Sequence, residues 1–208
     1  MIPPERSHAP KLRRSADKQF VESLPLLGYG GKIILLRDRV EAEKAVEKLL
    51  REEVLGFDTE TRPAFHRGQH YDTAIVQLST ADLAYIFQLK YCGGVDVLLP
   101  IFEAKSPLKV CIGVADDVKR LMEIRKFSQS GFVELTDVTK PLGIVDGSLR
   151  KLSAIVLGIR ISKREQTSNW AKEVLTDSQL RYAATDAWVS LRIYEEALRL
   201  GAEGIQAE

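Results

Sequence analysis

Val54-Leu55-Gly56-Phe57-Asp58-Thr59-Glu60-Thr61 is an apolar run that ends on two carboxylates one residue apart. Its apolar start predicts a buried strand, and side chains two apart on a strand point to the same face. Asp58 and Glu60 are therefore expected to share one face at the carboxyl end of a core strand. Two like charges held that close are costly unless a cation sits between them. A ligand set made only of oxygens suits Mg²⁺ or Mn²⁺ rather than zinc. A solvated strand end with two unrelated acids is the other reading, and Asp-x-Glu alone does not choose between them.

Working outward, 208 residues allow one domain with a substantial core. There is no apolar run long enough to span a membrane and no signal-peptide-like segment. The two cysteines do not make a disulfide framework, and Cys111, in an apolar run, reads as a buried thiol in a reducing cytoplasm. A net charge of +1 rules out a global basic field. Its distribution is uneven, however. Arg6, Lys11, Arg13, Arg14 and Lys18 crowd the first twenty residues. Arg150, Lys151, Arg160, Lys163, Arg164 and Lys172 stand against the single acid Glu165. Such a stretch is a solvated face or a phosphate contact.

On either side of the carboxylate strand the pattern is mixed. Residues 1–29 read as a tail and an ordered lead-in, and residues 201–208 as a second tail. Lys32–Leu36 reads as a strand, followed by a helix from Asp38 to about Glu52 with Val40, Ala45, Val46, Leu49 and Leu50 on its apolar side. Residues 74–78 and 84–87 read as further strands, paired antiparallel because no helix intervenes. Then come a helix over 95–104, a strand over 108–112, a helix over 117–126, an extended piece over 132–135, and helices over 148–157 and 176–200. This order predicts an α/β fold: one mixed β-sheet flanked by α-helices.

Two further stretches carry chemistry. Gly113-Val114-Ala115-Asp116-Asp117 follows a strand and opens a helix, where one acid can serve as a cap. In the last helix, Tyr182 and Asp186 lie four apart on one face among small apolar neighbours. A buried aspartate there is expensive unless it is paired or holds a metal. Tyr182 taken alone reads as a core tyrosine with a satisfied hydroxyl more readily than as a catalytic one.

Phe57-Asp58-Thr59-Glu60, Gly113-x-x-x-Asp117-x-x-x-Leu121 and Tyr182-Ala183-Ala184-Thr185-Asp186 together resemble the three motifs of the DEDD superfamily of 3′-5′ exonucleases, in its tyrosine-bearing DEDDy branch. Glu134-Leu135-Thr136-Asp137-Val138 and Ser168-Asn169-Trp170 extend the similarity to the Werner-syndrome-type exonuclease domain and the catalytic domain of RNase D. The match covers about residues 30–198, and the exonuclease domain is set at 30–200. The resemblance implies an RNase H-like fold, a nucleic-acid partner (a DNA or RNA 3′ end) and two divalent cations, Mg²⁺ or Mn²⁺. It implies that Asp58, Glu60, Asp117 and Asp186 hold those cations, that Tyr182 orients or deprotonates the attacking water, and that Gly113 and Leu121 select Asp117 over Asp116. Thr59, Arg164, Asn169 and Trp170 are the expected substrate contacts, with Trp170 equally placed to anchor its loop in the core. Thr61 and Val118-Lys119 depart from the Werner-type pattern, which has aromatic residues there, and no RNase D-type helical domain follows residue 200. A binding module of the same fold without catalysis is the alternative.

Overall fold

The computed structural model describes residues 12–202 except 65 and 67. Of the segments expected as tails, 1–29 and 201–208, residues 1–11 and 203–208 lie outside the described residues. Among the described residues six strands form one sheet: β1 (Lys32–Leu36), β2 (Val54–Thr61), β3 (Thr73–Ser79), β4 (Leu83–Gln88), β5 (Leu108–Cys111) and β6 (Phe132–Glu134). Their order across the sheet is β1-β4-β3-β2-β5-β6. The pairs β2–β3 and β3–β4 are antiparallel, as expected for strands joined without a helix, and the other three pairs are parallel.

The helices are α1 (Lys18–Ser23), α2 (Arg39–Leu49), α3 (Leu89–Cys92), α4 (Leu99–Phe102), α5 (Val114–Ile124), α6 (Leu135–Thr139), α7 (Leu149–Leu152) and α8 (Asp177–Arg199). On one side of the sheet Leu55, Phe57, Val76, Leu78 and Phe87 pack with Val46 and Leu49 of α2, Phe102 of α4 and Leu121 of α5. On the other side Val110 and Val133 pack with Val138 of α6, Leu152 of α7, and Val189 and Ile193 of α8. Burial of these two apolar faces is the main force holding the layers together.

Several boundaries differ from the sequence reading for identifiable reasons. In α2 the buried set is Ala42, Ala45, Val46 and Leu49, spaced for one helical face, whereas Val40 falls off that face and is exposed. The helix expected over 95–104 is a 3₁₀ turn, Val95–Leu98, followed by α4, because Pro100 is tolerated in a helix's first turn and not in its interior. The helix expected from 117 begins at Val114, after Gly113 turns the chain at φ 78°. The 148–157 helix is α7 plus a π turn, Ser153–Leu157, closed by Gly158 at φ 68°. The lead-in packs directly on α8. Tyr29 N–H donates to Thr185 Oγ1 at 2.9 Å, and Arg181 donates to the Tyr29 carbonyl at 2.8 Å.

Candidate active site

Strand β2 is read on both faces at its carboxyl end. Leu55 and Phe57 point into the core shared with α5, and Thr59 continues that face; its Oγ1 donates to Asp117 Oδ1 of α5 at 2.6 Å. The alternate residues Gly56, Asp58 and Glu60 turn toward α8. There Asp58, Glu60 and Asp186 each offer a carboxylate oxygen within 4.8 Å of the others. The alternation of one strand thus sets Asp58 and Glu60 against Asp186 of α8 on one face and Thr59 against Asp117 of α5 on the other, so Asp117 lies outside the three-carboxylate cluster.

The helices are fixed by groups distant in sequence. Helix α5 has no side-chain cap of its own. Glu134 Oε2, at the end of β6, accepts from the N–H groups of Gly113 (2.7 Å) and Val114 (3.1 Å). Asp116, expected as a helix-start acid, sits in the first turn of α5, exposed and without a capping bond. Helix α8 opens with a reciprocal Thr176/Gln179 capping box. It approaches β2 so closely that a Cβ on Gly56 would lie 1.9 Å from the Ala187 carbonyl oxygen.

The electrostatics are those of an uncompensated anion cluster. Asp186 is buried, and its Oδ1 has no hydrogen-bond partner. Burial pushes its carboxyl up to about 7, partly offset by the Tyr182 hydroxyl. Burial, then the charges of Asp186 and Asp117, pushes Glu60 up to about 9. Burial, followed by Asp186, Glu60 and Asp117, holds Asp58 well above the usual carboxylate range. Asp117 rises to about 6 through burial, moderated by the Thr59 hydroxyl and Arg120. The Tyr182 phenol is raised by burial and by Asp186 and Glu60. Each shift disfavours the charged form, and a divalent cation among the oxygens reverses that preference. The orphaned Asp186 oxygen and the hard-oxygen donor set fit such a cation.

Above the acids lies a cleft of about 410 Å³, lined by Asp58, Thr59, Glu60, Tyr182 and Asp186 and rimmed by Arg120, Arg150 and Lys163. The Arg150 Nε is buried and unpartnered. Periodicity does not single out Arg150 or Arg120; for Arg150 the nearest signal is the basic composition after Gly147, and Arg120 has none. In that stretch Lys151 is paired with Asp146 at 2.7 Å, and Arg160 donates to the Leu24 carbonyl at 2.9 Å, so both are spent on structure. Arg164 lines a neighbouring hollow of about 350 Å³ that shares Tyr182 and Asp186. Asn169 lines neither space, and its Oδ1 accepts from Ala171 N–H.

Trp170 decides between its two readings by burial. Its ring is 0% exposed, packed with Ile75, Ile86 and Ala183 and 5.9 Å from the Tyr182 ring centroid. It offers no face to a nucleotide, so the substrate-contact expectation is corrected: Trp170 anchors its loop and backs Tyr182.

A central strand of a mixed sheet that sets two carboxylates against α8 on one face and a hydroxyl against Asp117 of α5 on the other gives the chain its α/β, RNase H-like exonuclease fold. The chain belongs to the 3′-5′ exonuclease family, whose sequence profile matches residues 33–200. It is 32% identical over 193 residues to the mouse bifunctional 3′-5′ exonuclease/ATP-dependent helicase WRN, covering 86% of this chain and 14% of that protein. Among solved structures, the Aedes aegypti Nibbler EXO domain superposes with a TM-score of 0.76 at 22% identity, over 84% of this chain and 92% of that one. The Trypanosoma brucei RNase D, solved in complex with RNA U12, gives 0.69 at 15% identity, over 86% and 64%. No helix among the described residues is long and apolar enough to cross a membrane.

Proposed function

We propose that the chain hydrolyses phosphodiester bonds from the 3′ end of DNA or RNA, releasing nucleoside 5′-monophosphates with the help of two divalent cations. The observation that carries this reading is the convergence of Asp58, Glu60 and Asp186, with an orphaned buried oxygen on Asp186, beneath a cleft rimmed by basic residues. Asp58, Glu60 and Asp186 would hold one Mg²⁺ or Mn²⁺, and Asp58 and Asp117 the second. Bound there, such ions lower the pKa of the attacking water and stabilise the leaving 3′ oxygen.

Tyr182 keeps its proton, because burial and the neighbouring acids raise its pKa. It therefore orients the water through its hydroxyl instead of abstracting a proton. Arg150, Lys163 and Arg120 meet the phosphate backbone at the rim, with Arg164 beyond Tyr182. The alternative, binding without cleavage, is disfavoured because nucleic-acid binding does not require a costly buried anion cluster. The buried free thiols Cys92 and Cys111 support a reducing, cytoplasmic setting.

The test uses 5′-labelled DNA and RNA strands with Mn²⁺. A ladder shortening from the 3′ end is expected, whereas a shifted but intact band supports the binding module. Within this scheme Thr59→Val removes the bond to Asp117 while keeping the side-chain shape. The Mg²⁺ concentration giving half-maximal rate is then expected to rise about tenfold, the scale seen when a ligand's supporting bond is lost. An unchanged Mg²⁺ titration sinks the role given to Thr59. Arg150→Ala is expected to weaken oligonucleotide binding uniformly across sequences and to lower the log–log salt slope by about 1. An unaltered slope removes Arg150 from the backbone contacts.

A further inference from the structure

Gln77, in the middle of β3, is 0% exposed, and both its amide oxygen and its amide nitrogen lack a hydrogen-bond partner. Leaving a buried primary amide in that state is unfavourable, because it has lost its water and gained nothing in return, so a partner supplied in another state of the protein is to be sought among its neighbours. Across the antiparallel ladder Gln77 is in register with Asp58 on one side and Ile86 on the other. Directly opposed residues place their Cβ atoms about 5 Å apart on the same face. Along its own strand the same face carries Ile75 and Ser79, and the Ser79 hydroxyl already donates to the Thr80 carbonyl at 2.8 Å. Above them lies α8, whose Ala183 packs with Ile75 and Ile86. Of the two side chains opposite Gln77 on the neighbouring strands, only the Asp58 carboxylate can take a hydrogen bond from its amide.

We infer that Gln77 is a positioning residue for the cation site: its Nε2 donates to the Asp58 carboxylate when that carboxylate holds a divalent cation. The inference rests on the cation reading given above and adds a residue that touches neither substrate nor cation. A carboxylate that bridges ions has several lone pairs to direct, and a neutral donor behind it fixes which oxygens point forward without adding charge. Asp58 thus has two neighbours with unpartnered polar atoms: Gln77, in register with it on β3, and Asp186 of α8, whose carboxylate lies within 4.8 Å of its own.

The experiment is a Mn²⁺ titration of the full chain without nucleic acid, following the free-ion electron paramagnetic resonance signal, for wild type and Gln77→Met. Methionine keeps the length and removes the donor. Expected is a 10–100-fold weaker Mn²⁺ affinity, with a metal-free melting temperature no lower than wild type, because an orphaned amide has been replaced by an apolar chain. A second measurement needs no variant: in wild type the Gln77 side-chain ¹H–¹⁵N resonances are expected to shift on saturation with diamagnetic Mg²⁺. Equal Mn²⁺ affinities in the two proteins, or Gln77 resonances that do not respond to Mg²⁺, overturn the inference while leaving the cation site standing. A wild type that binds no Mn²⁺ overturns both.

Discussion

Replacing Asp186 with asparagine is expected to abolish 3′-end degradation and, in chelator at pH 8, to raise the melting temperature above that of the wild type. The loss of rate is set at about 10³-fold, the scale on which removing one preorganised electrostatic group acts. The gain in stability follows from where the carboxylate sits. Burial raises its pKa in the fold to about 7 from the ordinary 3.8, so the folded protein binds a proton more tightly than the unfolded chain does. The corresponding stability is complete below the unfolded value and is lost as pH rises through the folded one. Between about pH 4 and 7 the wild type therefore pays an increasing cost that asparagine avoids. The stability difference between variant and wild type should grow with pH over that interval and shrink toward zero near pH 4. Mg²⁺ should reverse the order at pH 8 by stabilising only the wild type. Melting curves at several pH values, with EDTA and with Mg²⁺, check this. A variant that degrades at the wild-type rate, or a difference that narrows as pH rises, removes the account of the site.

The second large effect is expected from Gly56→Ala, a change of one methyl group on an uncharged residue. The new Cβ would stand 1.9 Å from the Ala187 carbonyl oxygen and 3.1 Å from the Leu191 Cβ. The first is helix backbone, which cannot rotate aside, so α8 and β2 must separate. Overpacking of this kind costs about 3 kcal/mol, or a melting temperature lower by roughly 10 °C for a chain of this size. Because Asp58 and Glu60 follow Gly56 on β2 and Asp186 precedes Ala187 on α8, the same displacement opens the carboxylate cluster. The folded fraction should therefore be slower as well as scarcer. Gly30→Ala is the control, since nothing lies within 4 Å of its added Cβ and its φ is not positive. Thermal melts and rates normalised to folded protein separate the two glycines. Equal stability in both variants would mean that α8 does not seat on β2 as described.

Most of the strand layout was legible in the chain itself, because the signal is local. Alternating or continuous apolar runs gave the strands, and the absence of a helix between residues 54 and 88 gave the antiparallel pairs. The acids were legible for the same reason: Asp58 and Glu60 by strand period, Tyr182 and Asp186 by helix period. Helix ends were less so. Helix α5 begins three residues before the expected start because Glu134, 20 residues downstream, receives its first N–H groups. Trp170 read equally as a nucleotide contact or an anchor, since an aromatic side chain serves both and only its surroundings distinguish them.

What the sequence determined alone is the set of chemical groups and the face on which each strand or helix presents them, because both follow from backbone periodicity. Which faces meet was decided by the tertiary structure. Gly56 admits the α8 backbone, Thr59 takes Asp117 from α5, and Gln77 comes to lie beside Asp58 through strand register. None of these has a local signature, since each depends on close approach between segments far apart in the chain. The packing of two apolar sheet faces against different helices brings those segments together.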